Sequence, residues 1–478
     1  MAQAKGVLPT KGDDRAVLYR NPKTCGYFVG IRLVPDATRD QALDWLGTVS
    51  TAIDTLVTRT APDDEYPKGR KVAAVAAGFA AGFFDRLNST ASTIEPPVGL
   101  TPDAQPAQGL FPGVAALDVD ALFYIASVSE TRVKEFMSAV AESPLVDTVT
   151  LERGYQRSDE TEPFGYKDGV RNVRLSDRSR VVYVHTEHDQ PDEPAWADGG
   201  TYMVFMKIVQ KPAVFQALAD DAARDTVIGR TKDGTRLDLV GQGIAPHDEP
   251  NDVPVGLPPT SHVRKAGPRG PHDDNEIFRR GMPFMEVADG HLQVGLQFCS
   301  FQANPGQFDT IFNDWLLNQQ FPPRDDNATV GSDALLSGGF TEIREAGLFF
   351  VPPYHPDGLV AALTPAVRRK PPSHGRLAIS KFVESSTEPT RRFERGGFQF
   401  RVTDASGVAV PNSEFETNSA GRGVCPAELE IGQTYQLVEA SSPRPDVGLT
   451  TLQFVMDKPN KNLRVTNQVQ PGGGYGNR

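Results

Sequence analysis

Gly26-Tyr-Phe-Val-Gly-Ile-Arg-Leu-Val-Pro35 decides the fold class. The run is rich in aromatic and branched residues and is bounded by Gly and Pro, so it reads as a strand. Pro35-Asp-Ala-Thr-Arg-Asp40 then opens a helix through Trp45, Ala52, Ile53 and Leu56, which recur at helical spacing. A strand at Val72–Phe79, a strand and helix at Ala121–Val128 and Val133–Ala141, and a strand at Val146–Leu151 complete a β-α-β, β-α-β order. That order predicts an α+β fold with a split, mostly antiparallel sheet and helices on one face.

A looser copy follows. Gly200–Val209 alternates as a strand, Ala213–Ala223 reads as a helix, and Gly295–Gln302 as another strand. Phe308, Ile311, Phe312 and Trp315 form an apolar stripe on a helix over Phe308–Asn318, which predicts core packing. No short tandem repeat occurs, which excludes solenoids and propellers. Residues 153–198 and 241–276 are long, polar and rich in Pro, Gly, Asp and Glu. Segments of that kind inside a compact domain tend to carry function. Beyond Val351-Pro-Pro-Tyr-His-Pro356 the composition turns linker-like at Arg368–Gly375 and Ser385–Thr390. Short strands with turns, such as Phe398–Val402, Asp404–Gly407 and Thr434–Val438, then predict a small β-sandwich before the Gly-rich tail. We expect domains over 1–195, 196–375 and 376–478, in keeping with a 478-residue chain at about 100–200 residues per domain.

A net charge of −12 argues against nucleic acid and anionic membranes as partners. No run reaches the ~18 apolar residues of a span, and the N-terminus lacks the features of a signal peptide, so the cytoplasm is expected. Cys25, Cys299 and Cys425 lie far apart, with no disulfide framework, and Cys299 in its apolar run reads as a buried, inert thiol.

Two motifs lie in or beside the polar segments. Gly165-x-x-Asp168-Gly169 sets a carboxylate between glycines that permit tight turns and close approach to a ligand. Ser261-His262-Val-Arg264 carries one of eight histidines, a candidate for a neutral metal ligand, and Ile277-Phe-Arg279-Arg280-Gly281 follows. Either alone reads as ordinary structure. His185, His188, Asp189, Asp192 and Glu193 form an acidic cluster able to hold a divalent ion, which would make the chain a non-haem metal-binding module.

Taken together, these motifs resemble the signature of the dye-decolourising peroxidases. Ala197–Val209, Ile228-Gly-Arg230-Thr-Lys-Asp-Gly234, Gly295–Gln302 and Gly347–Pro353 extend the likeness over roughly residues 20–360. The resemblance implies two ferredoxin-like halves with antiparallel sheets, and haem b in a cavity of the second. It implies His262 as axial ligand to the haem iron, with Asp333 as the carboxylate partner of its other nitrogen. Arg264 would pair with a propionate, and Gly169 and Phe298 would join the cofactor-binding set. Asp168 would act as base and then acid on hydrogen peroxide. An ordinary Asp titrates near about 3.9, so it would stay ionised in acid. Arg279 would stabilise developing anion, with only one of Arg279 and Arg280 reaching the iron. Where relatives carry Asn or Ser two residues after the arginine, this chain has Gly281, which puts more of the work on Asp168 and Arg279.

The implied function is one-electron oxidation of organic donors such as dyes and phenolics at the expense of hydrogen peroxide, with Trp196 a candidate surface relay. The rival is a haem-handling or iron-releasing protein. Homo-oligomerisation is left open. Residues ~393–466 resemble small prealbumin-like modules of the carboxypeptidase-regulatory and collagen-adhesin B kinds, through Phe398–Gly407, Phe415-Glu-Thr417, Gly421 and Leu429–Glu439. Some such modules carry a Lys–Asn isopeptide bond. With no lysine between Lys381 and Lys458, none is expected here.

Overall fold

The computed structural model describes residues 25–58, 73–88, 94–101, 109–127, 129–155, 157, 159–174, 177–186, 190–267, 274–288, 290–323, 329–355, 357–363, 374–384, 396–456 and 460–469. The linker-like runs at 368–373 and 385–390, the tail from 470, and His188, Asp189 and His272 lie outside them. The chain folds as two compact units, Met1–Tyr183 with Gly199–Pro365, and Val184–Asp198 with Ala366–Arg478. The expected boundary at 195/196 thus falls within the segment Val184–Asp198. The one at 375/376 falls within a strand, His374–Glu384.

The first unit is built on β1 (Cys25–Leu33), β2 (Ala73–Phe79), β3 (Ala115–Ala116), β4 (Ala121–Ser127), β5 (Val146–Tyr155), β6 (Thr201–Gln210), β7 (Phe278–Arg279), β8 (Met282–Ala288), β9 (His291–Gln302) and β10 (Thr341–Val351). In the first half the order β5-β1-β4-β2 is antiparallel throughout, with helices Arg39–Thr58 and Glu130–Ala141 as crossovers. The second half repeats it as β10-β6-β9-β8, so the order of a ferredoxin-like unit occurs twice. The halves join through Phe350 on β10 opposite Phe79 on β2, giving one ten-stranded sheet.

β2 and β4 are buried along their whole length, which their Ala-, Val- and Phe-rich sequences predict. Trp45, Phe83, Phe123 and Phe136 pack edge-to-face or tilted between helices and sheet. The helix expected over Ala213–Ala223 is instead two short ones, Pro212–Gln216 and Asp221–Ile228, the second capped by the Asp220 carboxylate, which accepts from the Ala223 N–H. The apolar stripe runs along the helix Pro305–Asp309 and its π-helical continuation Thr310–Leu316; π turns concentrate at functional positions.

The second unit holds β11 (His374–Glu384), β12 (Gln399–Asp404), β13 (Phe415–Glu416), β14 (Arg422–Val424), β15 (Leu429–Glu430), β16 (Thr434–Ser441), β17 (Thr451–Val455) and β18 (Asn460–Gln468). They form two four-stranded sheets, β14-β11-β15 with β18 on β11, and β13-β12-β16-β17. Leu377, Ile379, Phe400, Val402, Leu437 and Val465 fill one core between them. Among the described residues no helix is long and apolar enough to cross a membrane.

Candidate active site

A cavity of about 510 Å³ opens in the first unit, within the ~300–1,000 Å³ typical of cofactor and ligand sites. Met206 and Ile208 of β6, Leu296 and Phe298 of β9, Ile343 of β10, and Phe308, Ile311, Phe312 and Trp315 of the stripe form its apolar wall. The stripe is therefore core and cavity lining at once. His262, Asp168, Gly169, Arg279 and Arg280 border the same space.

Three segments converge to fix His262. Its short helix, His262–Ala266, is tied down by the buried Lys265, whose ammonium donates to the carbonyls of Trp315 (3.2 Å) and Asn318 (2.8 Å). The Asp333 N–H donates to Leu316 (2.8 Å), and the Ala334 N–H to Thr260 (2.9 Å), just ahead of His262. Asp333 itself is fully buried. One of its oxygens accepts from the Leu336 N–H (3.0 Å), and the other lies 3.0 Å from His262 Nδ1. A buried carboxylate there favours the tautomer with the proton on Nδ1 and leaves the Nε2 lone pair free for a metal. If this contact orients and strengthens a ligand, Asp333→Asn should weaken haem affinity roughly 10–100-fold, read by haem titration. Unchanged affinity would make the contact merely structural.

Asp168 ends a tight loop. The Gly165 N–H donates to Glu162 O (2.8 Å), the Glu162 N–H to Tyr166 O (3.0 Å), and the Asp168 N–H to Glu160 O (2.9 Å). Gly165 (φ 90°) and Gly169 (φ 68°) take the left-handed conformation that the turn requires. The Gly169 N–H then donates to Asp168 Oδ1 at 2.7 Å. Asp168 and Arg279 have accessible surface because they border the cavity, while the surrounding protein strips away bulk water. Burial raises the Asp168 pKa, opposed by the Gly169 N–H and by the charge of Arg279. The carboxyl expected to have an ordinary pKa therefore titrates higher.

Arg279 lies on β7 opposite Ser300. Its N–H donates to Asn172 Oδ1 (3.1 Å), Asn172 Nδ2 donates back to Arg279 O (2.8 Å), and its Nη2 donates to Arg171 O (2.5 Å). Burial disfavours its charge, and Asp168 partly restores it. Both arginines border the cavity. Arg280 also lies over the Phe278 ring, 5.5 Å from its centroid.

Arg264 is buried beside His262 but is absent from the cavity wall. The basic residues on that wall include Arg171 and Arg230, both paired with the buried Glu249. The acidic-cluster reading also fails in its described part. Asp192 is buried, with one oxygen 2.7 Å from Arg422 Nη2 and the other accepting from Asn462 Nδ2 at 2.8 Å. Trp196 is half-buried, and Cys299 is a buried free thiol whose pKa burial pushes up.

Sequence reasoning missed Glu162 and Asn172. Glu162 borders the cavity and accepts from the N–H groups of Phe164 (3.0 Å) and Tyr166 (3.1 Å) and from Gln210 Nε2 (2.8 Å). Burial raises its pKa to about 7. Its place three residues before Gly165 was the available signal. Nothing local marks Asn172, whose partner is 107 residues away.

The residues also pass a test of fit for haem. Among the described residues no group of three or more His, Cys, Asp or Glu could hold a bare metal ion. A single carboxylate-backed imidazole in an apolar cavity suits a metal whose remaining ligands come from its own macrocycle.

Fold and site together define an α+β protein of two ferredoxin-like halves with a ligand cavity in the second. Residues 159–355 match the family model described as Dyp-type peroxidase, C-terminal. A protein named deferrochelatase from Yersinia pestis bv. Antiqua is 32% identical over 151 residues, 30% of this chain and 34% of that protein. Dye-decolorizing peroxidase AauDyP1 from Auricularia auricula-judae is 24% identical over 237 residues, 37% and 47% of the two chains. The chain thus spans about a third to a half of the length of these relatives. Among solved structures, DtpA from Streptomyces lividans aligns with a TM-score of 0.54 at 23% identity, covering 72% of this chain and 93% of that one. A DypB variant from Rhodococcus jostii RHA1 in complex with heme gives 0.51 at 20%, covering 70% and 94%. At such identities the structural likeness establishes the shared fold.

Proposed function

We propose that the protein is a haem b-dependent peroxidase that reduces hydrogen peroxide and oxidises organic donors such as dyes and phenolics in one-electron steps. The observation that carries it is the His262–Asp333 contact at 3.0 Å, on a cavity that Asp168 and Arg279 also border. The family-model match over residues 159–355 and the haem-bound structural relative support the same reading.

Haem, when bound, supplies the iron that takes up peroxide and the oxidising equivalents passed to donors. The chain's residues hold it and move protons. His262 Nε2 would hold the haem iron, with Asp333 fixing the imidazole. Asp168, ionised, accepts the proton from one peroxide oxygen and returns it to the other, so that water leaves. The fixed charge of Arg279 faces the negative charge that builds on oxygen, and the Asn172 clamp holds its backbone in place. We further propose that residues ~393–466 belong to a prealbumin-like module, supported by the two four-stranded sheets that they form together with β11 around one core.

The test is the pH profile of peroxide-dependent dye oxidation by the haem-loaded chain. Asp168 must be ionised to accept the proton, and its pKa is raised. Activity should therefore fall as pH drops through a value above the ordinary aspartate range, and the mutant Asp168→Asn should lose that limb. A limb at the ordinary aspartate value would oppose the role given to burial. The deferrochelatase relatives favour a second reading, release of iron from haem. Iron-free porphyrin in the products, without donor oxidation, would select it.

A further inference from the structure

Asp168 Oδ1 accepts from the Gly169 N–H at 2.7 Å, so the carboxylate is held from within its own loop. Where it points therefore depends on what holds the loop. Next to Asp168 the backbone does so: the Lys167 N–H donates to Lys232 O (3.1 Å) and the Asp168 N–H to Glu160 O (2.9 Å). The bend just before it turns through Gly165 at φ 90°. There the N–H groups of Phe164 and Tyr166 are aimed at a side chain instead, the carboxylate of Glu162.

Glu162 Oε2 accepts from the Phe164 N–H (3.0 Å) and from Gln210 Nε2 (2.8 Å), and Oε1 accepts from the Tyr166 N–H (3.1 Å). One carboxylate thus gathers the peptides of the bend and ties them to β6, the strand whose Met206 and Ile208 wall the cavity. Hydrogen bonds to a carboxylate are roughly twice as strong as neutral ones, which suits it to this task. The side chains of the bend are fixed separately. The Tyr166 hydroxyl donates to Asp225 Oδ1 at 2.6 Å, on the helix Asp221–Ile228. The rings of Phe164 and Tyr166 pack on Phe215, with centroids 4.4 Å and 6.1 Å apart. Ring packing sets where the two side chains lie, and Glu162 sets the peptides between them, which lead directly into Asp168. Both oxygens of Glu162 already accept from N–H donors, an arrangement that suits holding a loop rather than carrying a proton.

We propose that Glu162 is a positioning residue for Asp168: with Gln210 it fixes the bend at Phe164–Tyr166, and so sets the direction from which the Asp168 carboxylate meets peroxide. The inference rests on the peroxidase reading above. A displacement of about 1 Å in a reacting group can cost on the order of 10²-fold in rate, so an anchor that never touches the substrate can still govern the step.

The test uses the haem-loaded full chain and reads kcat/KM for hydrogen peroxide and for the dye separately. Glu162→Ala should lower the value for peroxide roughly 10–100-fold and leave the value for the dye unchanged. Glu162→Gln, which keeps one acceptor oxygen, should recover part of the loss. In an Asp168→Asn background Glu162→Ala should cost little more, because the group it positions is already gone. An equal loss in both backgrounds would overturn the proposal and give Glu162 a proton-transfer role of its own. An equal fall for peroxide and dye would overturn it in favour of a purely structural role. Amide hydrogen exchange over residues 160–169 reads the anchor without any turnover: it should be faster in Glu162→Ala, and unchanged exchange would contradict the anchor. Should Glu162→Ala fail to fold, Gln210→Met removes one donor from β6 and should act in the same direction to a smaller extent; no change there would count against the proposal. An unaltered chain that binds haem but does not react with peroxide would overturn the peroxidase reading, and the role of Glu162 with it. A reactive unaltered chain whose Glu162→Ala variant reacts as fast would overturn the inference alone.

Discussion

The mutant His262→Ala, supplied with haem, is expected to show no Soret band of a histidine-ligated haem, whereas the unaltered chain shows a strong one. The effect should be near total, because His262 is the only histidine among the described residues that line the cavity. The variant also strands Asp333, fully buried and deprived of its Nδ1 partner, at a cost of about 1–3 kcal/mol. Thermal unfolding read beside the spectrum separates loss of the ligand from loss of the fold. A full Soret band in a folded His262→Ala protein would remove His262 from the role given to it.

Asp168→Ala should leave haem binding intact and slow the reaction with peroxide by roughly 10²–10⁴-fold, the usual worth of a placed acid–base group. The carboxylate accepts from the adjacent Gly169 N–H, so its removal leaves the His262 side of the cavity untouched. Loss of a charge opposite Arg279 should also leave that guanidinium less well balanced, since Asp168 is the leading group favouring its charged form. Stopped-flow mixing with peroxide gives the rate. A rate within a few-fold of the unaltered chain, with the Soret band retained, would move the proton-transfer role to another group on the cavity. Glu162, with a pKa raised to about 7, would be the first to examine.

β1, β2, β4, β6 and β9 were legible as apolar runs, whereas β3, β7 and β8 were not read from the sequence. Nothing in the sequence shows Phe350 beside Phe79, or Ala115 and Ala116 beside Glu345 and Ala346, the pairings through which β10 meets the first half. Asp168 and His262 were legible through their motifs, and Asp333 through resemblance alone. Arg264 shows the limit of motif transfer. It follows His262 by two residues, yet on a one-turn helix that spacing turns it from the cavity wall. Asn172 could not be read at all, because its value lies in a reciprocal pair of hydrogen bonds to the Arg279 backbone.

The central claim is tested most directly by the visible spectrum of the haem-supplemented full chain, before and after one equivalent of hydrogen peroxide. The account predicts a strong Soret band that changes on addition of peroxide. No Soret band at any haem loading would contradict it.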